Sequence, residues 1–208
     1  MSSYSSPKKT ASAMQRGRPR EFDVASVSEA AGRVFWERGY HSTSLDDLTE
    51  ATGLLRGSLY GAFGDKRGML LAALDYYAEG AVARLSERLN SGLPPHEALR
   101  EALLHHTRVV SALTGIPGCF ITNTALEMIP SDPDVTLRIE SIMRRISTLL
   151  ASAVIRGQAE GVFNPGLNEK AVGDFLLCMT QGLRVLGKVV HEEERLTAAV
   201  DVAMRALS

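Results

Sequence analysis

Apolar residues in this 208-residue chain recur at intervals of three and four almost from end to end, and no run of them alternates convincingly. That spacing puts side chains on one face of a helix, whereas a strand with one buried face hides every second residue. The pattern predicts an all-α fold, cut into pieces by glycine and proline. Asp23 caps a first helix carrying Val27, Ala31, Val34 and Phe35 and ending near Gly39. Thr43 or Ser44 caps a short second helix with Leu45, Leu48 and Ala51 inward, stopped by Gly53, and Asp46 or Asp47 near its start suits the helix dipole. A third short helix fits Leu55 to Phe63. Asp65 caps a long fourth one, striped by Leu70, Leu74, Tyr77, Ala81, Leu85 and Leu89. Further helices are expected at about 95–113, 119–129, 134–160, 168–190 and 192–207. In 168–190 the spacing aligns Ala171, Phe175, Met179, Gly182, Leu186 and Val190 on one face.

The formal net charge of -1 hides an uneven distribution. Residues 1–20 hold Lys8, Lys9, Arg16, Arg18 and Arg20 and no acid, while bases are outnumbered 5 to 8 over residues 21–70 and 13 to 16 beyond. A basic, Ser-rich tail on a mildly acidic body is expected to be disordered over residues 1–16. Two cysteines, Cys119 and Cys178, are too few for a disulfide scaffold, so a reducing cytoplasm is expected. No apolar run approaches the roughly 18–20 residues of a membrane span, and no apolar segment follows Lys8 and Lys9 as in a secretory signal.

Catalytic motifs fail on inspection. Gly182 to Lys188 imitates a phosphate-binding loop, but Val189 stands where a hydroxyl residue is required and no strand precedes it. His191 to Arg195 lacks the second histidine of a zinc helix, and no Gly-x-Ser-x-Gly turn occurs. His105 and His106 have no ligand-type residue three or four positions on. The sequence predicts no enzyme, metal site or cofactor.

The chemistry lies in the two short helices. Separated by a glycine turn and preceded by a packing helix, they make a helix-turn-helix unit. No acid occurs between Ala51 and Gly64, a stretch suited to approaching a polyanion. Gly57 lets backbone come close, Ser58 and Tyr60 can donate to phosphate oxygens, and Arg56 can reach a phosphate or a guanine edge. Lys66 stands at the start of the fourth helix against that helix's own dipole, a position a phosphate would explain.

Gly17-Arg18-Pro19-Arg20-Glu21-Phe22-Asp23, Ala30-Ala31 to Phe35, Gly39-Tyr40, Thr43-Ser44, Asp47-Leu48, Ala51-Thr52-Gly53 and Gly57-Ser58-Leu59-Tyr60 to Phe63 and Lys66 together resemble the DNA-binding region of the TetR family. The resemblance covers roughly residues 17–75. It implies a DNA-binding domain over 17–65, an effector-binding and dimerisation domain over 66–208, and a homodimeric repressor. Such a protein leaves a pseudo-palindromic double-stranded operator when a small effector binds. By family position, Thr43, Tyr60 and Lys66 grip phosphates, Ser44 belongs to the same contact region, and Leu55, Arg56, Gly57 and Ser58 face bases. Arg18 and Arg20 resemble a minor-groove arm. Where relatives often have Tyr-Tyr-His-Phe, this chain has Tyr60-Gly61-Ala62-Phe63, without the second aromatic and the histidine.

The same comparison implies an effector cavity among the helices from about 66 to 190. Its inward candidates are Leu74, Tyr77, Val109, Cys119, Asn123, Phe175 and Met179, with His106 or its neighbour His105; at most one of the pair faces a pocket. A mainly apolar lining suits a lipophilic or aromatic effector. The helices at about 134–160 and 168–190, with Gly173, Gly182 and Gly187, are expected to form the dimer interface. Cys119 offers a second reading, a thiol sensor of oxidants or electrophiles at a helix N-terminus. A helical interaction module without DNA binding is the reading from another class.

Overall fold

The computed structural model describes residues 22–112, 118–190 and 192–208; the side chains at 106 and 109–112 lie outside that description, as do residues 1–21. Nine helices run through the described residues, and none of these residues is in a strand. They are α1 Val24–Arg38, α2 Leu45–Thr52, α3 Arg56–Phe63, α4 Lys66–Leu89, α5 Pro95–Ala112, α6 Phe120–Met128, α7 Pro133–Ala159, α8 Glu169–Leu186 and α9 Glu193–Ala206.

Local chemistry sets these limits. Asp23 accepts the amides of Ala25 and Ser26 to start α1. Ser44 and Asp47 form a reciprocal capping box on α2, and Gly53, at φ 67°, ends it in the left-handed region that suits glycine. Asp65 caps α4 through Gly68, and Asp132, followed by Pro133, caps α7 through Asp134 and Val135.

Two apolar clusters hold the helices together. One joins Val27, Ala31 and Phe35 of α1 to Leu48, Leu59, Met69, Leu70 and Leu74, and continues into Phe120, Ile121 and Met128 of α6 and Val135 and Ile139 of α7. The packing therefore does not stop at residue 65: α6 and the start of α7 share a core with the first four helices. The other cluster gathers α5, α8, α9 and the second half of α7 around Leu99, Leu103, Leu150, Leu176, Leu183 and Leu196.

One expected face is reversed. Val172, Gly173, Leu176, Thr180 and Leu183 make the buried side of α8, while Ala171, Phe175, Gly182 and Leu186 are exposed and Met179 is half-buried. Apolar residues occur on both sides of this helix, so periodicity alone could not choose between them. Gly173 decides it: a Cβ there would stand 2.6 Å from the Ser147 carbonyl oxygen, so α8 meets α7 of the same chain along its glycine face. Gly173 is thus consumed within the chain. The helix also ends at Leu186, short of the expected 190.

Candidate nucleic-acid interface

Leu48 and Leu59 are both fully buried in the cluster shared with α1 and α4, with Leu45, Leu54 and Phe63 packed against it. These contacts fix α2 and α3 as a unit and turn the other side of α3 to solvent. Leu55 is 81% exposed and Tyr60 42% exposed; Arg56, Gly57, Ser58, Gly61 and Ala62 are exposed as well. A Cβ at Gly57 or Gly61 would touch nothing within 4 Å. The first turn of α3 contains no acid, and its N-cap, Leu55, offers no side-chain acceptor, so the positive end of the helix faces outward uncapped. The structure thus brings Leu55, Arg56, Gly57, Ser58 and Tyr60 onto one open face. Arg56 is already engaged there, its Nη2 2.5 Å from Asp46 Oδ1. A nucleic acid must displace that exposed carboxylate.

The other expected contact residues have different employment. Thr43 is buried and its Oγ1 donates to the Gly39 carbonyl at 2.6 Å. Ser44 Oγ donates to Asp47 at 2.7 Å and accepts the Asp47 amide at 3.1 Å. These bonds hold the Asp47 carboxyl below its ordinary range, with Ser44 the main cause and Arg38 a lesser one. Lys66 Nζ donates to the carbonyls of Tyr40 at 2.8 Å and Thr43 at 2.9 Å, and lies 4.3 Å from the Tyr40 ring centroid. The charge that opposes the α4 dipole is explained by two turn carbonyls and an aromatic face. Two of the three ammonium donors are used by these carbonyls, so the position of Lys66 does not require a phosphate to explain it. Arg18 and Arg20 lie outside the described residues.

A residue the sequence did not single out completes the turn. Glu127, on α6, accepts the Tyr40 amide at 2.8 Å and the His41 amide at 2.7 Å. Gly39 leaves room for it: a Cβ there would stand 2.9 Å from Glu127 Oε2, and its φ is 81°. The available signal was its isolation, since Glu127 is the one charged residue between Arg108 and Asp132. Beside it, Arg67 Nε and Nη2 donate to Asp132 at 2.5 and 2.8 Å, joining the start of α4 to the cap of α7. This pairing holds the Asp132 carboxyl below its ordinary range.

Among the expected pocket residues, Leu74 and Cys119 are buried and Tyr77, Asn123 and Met179 half-buried. Tyr77 meets Trp36 and Phe120 edge-on, at centroid distances of 5.4 and 5.7 Å. Phe175 is 46% exposed on the outer face of α8, so it is not the inward residue its spacing suggested. The side chains of His106 and Val109 lie outside the described residues. Sequence reasoning missed Arg184, a half-buried guanidinium of α8 within electrostatic reach of Cys119 and Tyr77. Burial pulls that guanidinium down, but the influence of the two groups outweighs it and holds it above its ordinary value. Burial pushes the Tyr77 hydroxyl up, against the pull of Arg184. Among the described residues no helix is long and apolar enough to cross a membrane.

The family model "Bacterial regulatory proteins, tetR family" matches residues 28–73, and "Tetracyclin repressor-like, C-terminal domain" matches residues 95–205. An uncharacterized HTH-type transcriptional regulator of Bacillus subtilis, YezE, is 32% identical over 92% of this chain and 99% of its own length. The HTH-type transcriptional repressor ComR of Escherichia coli is 28% identical over 91% of each chain. Among solved structures, a cysteine mutant of the TetR family regulator CifR, complexed with 26-bp double-strand operator DNA, aligns with a TM-score of 0.79 at 30% identity. It covers 92% of this chain and 100% of that one.

Proposed function

This chain belongs to the TetR family of DNA-binding transcriptional regulators, and on that premise we propose that it is a repressor released from its operator by a small effector. The family assignment sets aside an enzyme and a helical module that does not bind DNA. The observation that carries the reading is the outward face of α3, free of acid, uncapped at its positive end and held rigid from beneath by Leu48 and Leu59.

In this reading the DNA-binding part spans 17–65, the effector-binding and dimerisation part 66–208, and residues 1–16 form the tail. Leu55, Arg56, Gly57 and Ser58 enter the major groove and meet base edges, and Tyr60 grips a phosphate. Thr43, Ser44 and Lys66 build the turn that orients them. Arg18 and Arg20 act as a minor-groove arm. Two copies bind a pseudo-palindromic operator with half-sites about one helical turn apart, roughly 34–36 Å. They meet through the outer face of α8 and the segment just after it, where Phe175, Val185 and Leu186, and then Val189, are exposed. The cytoplasm is the compartment where such an operator is met.

The effector is lipophilic or aromatic and enters beside Leu74, Tyr77, Cys119, Asn123 and Met179, with His106 and Val109 on the same lining. It acts by binding the DNA-incompetent state more tightly, since equal affinity for both states shifts nothing. Glu127 supplies the connection, because it ties α6, whose N-terminus borders this region, to the turn that carries α2. A gel shift on DNA upstream of the chain's own coding sequence tests the reading when repeated with lipophilic compounds; an inducer confirmed in cells that leaves operator affinity unchanged defeats it.

A thiol sensor is the second reading, favoured by one observation: Cys119 stands at the N-cap of α6, with the Arg184 guanidinium within electrostatic reach. CifR, the similar regulator, was also studied as a cysteine mutant. Release of operator by peroxide should vanish in Cys119→Ser; unchanged release removes this reading.

A further inference from the structure

Resting on the effector-release reading, we propose that the junction of α1, α4, α6 and α8 binds an organic carboxylate with an aromatic or branched apolar body, and that Arg184 and Lys188 hold its anionic end. Each helix brings a different part. Trp36 of α1, Tyr77 of α4 and Phe120 of α6 form a chain of edge-to-face aromatic contacts, the apolar wall. Arg184 of α8 is half-buried within electrostatic reach of Tyr77 and Cys119, beside that wall. Four residues on, just past the end of α8, Lys188 folds over Gly118, its Nζ 2.8 Å from where a Cβ would be. Both cations therefore flank the start of α6, whose N-cap, Cys119, makes no side-chain capping bond.

An independent observation points to an acceptor. The indole nitrogen of Trp36 is buried without a hydrogen-bond partner, the one such side-chain atom among the described residues. A buried donor left unsatisfied in a native fold calls for an occupant that accepts from it. In this proposal a guanidinium, an ammonium, a phenol and an indole N–H, brought by helices that meet there, together select an oxygen-rich, negatively charged group. The aromatic surfaces select the body attached to it. Because Trp36 belongs to α1, such a ligand touches the DNA-binding helices directly.

Trp36 is the one tryptophan in the chain, so its emission reports occupancy of this junction. The full chain is titrated by fluorescence and calorimetry with benzoate and 3-phenylpropionate, with benzyl alcohol as the neutral counterpart and acetate as the anion without a body. At least one aromatic carboxylate is expected to bind saturably and change the emission, with benzyl alcohol and acetate weaker by about tenfold or more. Arg184→Met should weaken the carboxylate by about tenfold and Arg184→Lys by less. Trp36→Phe, followed by calorimetry, should weaken it several-fold. Helical circular dichroism and a cooperative melt establish that each variant is folded. No carboxylate binding at millimolar concentration, equal binding of benzyl alcohol, or an unchanged Arg184→Met variant overturns the proposal. Carboxylate binding that leaves operator affinity untouched upholds the site and sinks the release reading. Operator release by neutral compounds alone upholds release and sinks the carboxylate assignment.

Discussion

The Glu127 carboxylate accepts the backbone amide of Tyr40 at 2.8 Å, and its other oxygen takes the next amide, that of His41, at 2.7 Å. Eighty-seven residues separate Glu127 from Tyr40, so one side chain fastens α6 to the turn between α1 and α2. On the same turn, Lys66 takes the carbonyls of Tyr40 and Thr43. The turn is thus gripped from α6 through its amides and from α4 through its carbonyls. Whatever displaces α6 must move the turn or break these bonds.

Glu127→Ala leaves the half-buried amide of Tyr40 and the exposed amide of His41 without their acceptor. It should cost about 2 kcal/mol of stability, the order expected for bonds to a charged group, and weaken operator binding. Glu127→Gln keeps one acceptor oxygen and should fall between. Urea unfolding and operator titration on the same samples check both effects. An alanine variant with unchanged operator affinity would remove Glu127 from the DNA-binding account.

Lys66→Met keeps the stem and removes the donor. A lysine bound to turn carbonyls should lower operator affinity without altering its salt dependence. A phosphate-binding lysine should reduce the slope of log K against log salt by about one. Binding isotherms across salt concentrations separate the two, and an unchanged slope is predicted.

Arg56→Ala and Tyr60→Phe should part company. Tyr60→Phe weakens binding to all duplexes alike, whereas Arg56→Ala also relaxes preference at one half-site position, by about 1–3 kcal/mol for the preferred base. Competition between operator and scrambled duplexes measures this; equal loss on both for Arg56→Ala excludes base reading.

Acid should loosen the joint between α4 and α7. Because Arg67 depresses the Asp132 carboxyl in the folded state, the pair stabilises the fold above the unfolded value of 3.8. That contribution fades as pH falls through the lower folded value. Asp132→Asn should therefore be less stable at neutral pH and show a flatter loss between neutral and strongly acid pH. Melts across that range test it; parallel curves for the two proteins would count against the pairing.

Replacing Phe175 on α8, or Val189 just past its end, with aspartate puts charge on this exposed surface, 46% and 76% open at these positions. The dimer should then dissociate at micromolar concentration in light scattering, with the helical content retained. A dimer that survives both substitutions places the interface elsewhere.

How much of this was legible beforehand depended on range. The caps at Asp23, Ser44 and Asp65 and the stop at Gly53 are local, and the sequence marks them directly. Leu59 and Phe63 declared the inner face of α3 by spacing alone. Which face of α8 packs within the chain is not legible in the sequence, because both sides carry apolar residues and only the close approach at Gly173 chooses between them. Lys66 looked free because its partners, two backbone carbonyls more than twenty residues away, leave no trace in residue type. Glu127 escaped for the same reason, its partners being two backbone amides.

Operator choice depends on α3 reading a particular sequence. The most direct measurement is fluorescence anisotropy of the purified chain with duplex from upstream of its own coding sequence, against a scrambled duplex of equal composition at the same salt. Upstream duplex should bind at least about a thousandfold more tightly. Equal affinity for the two duplexes would contradict the account.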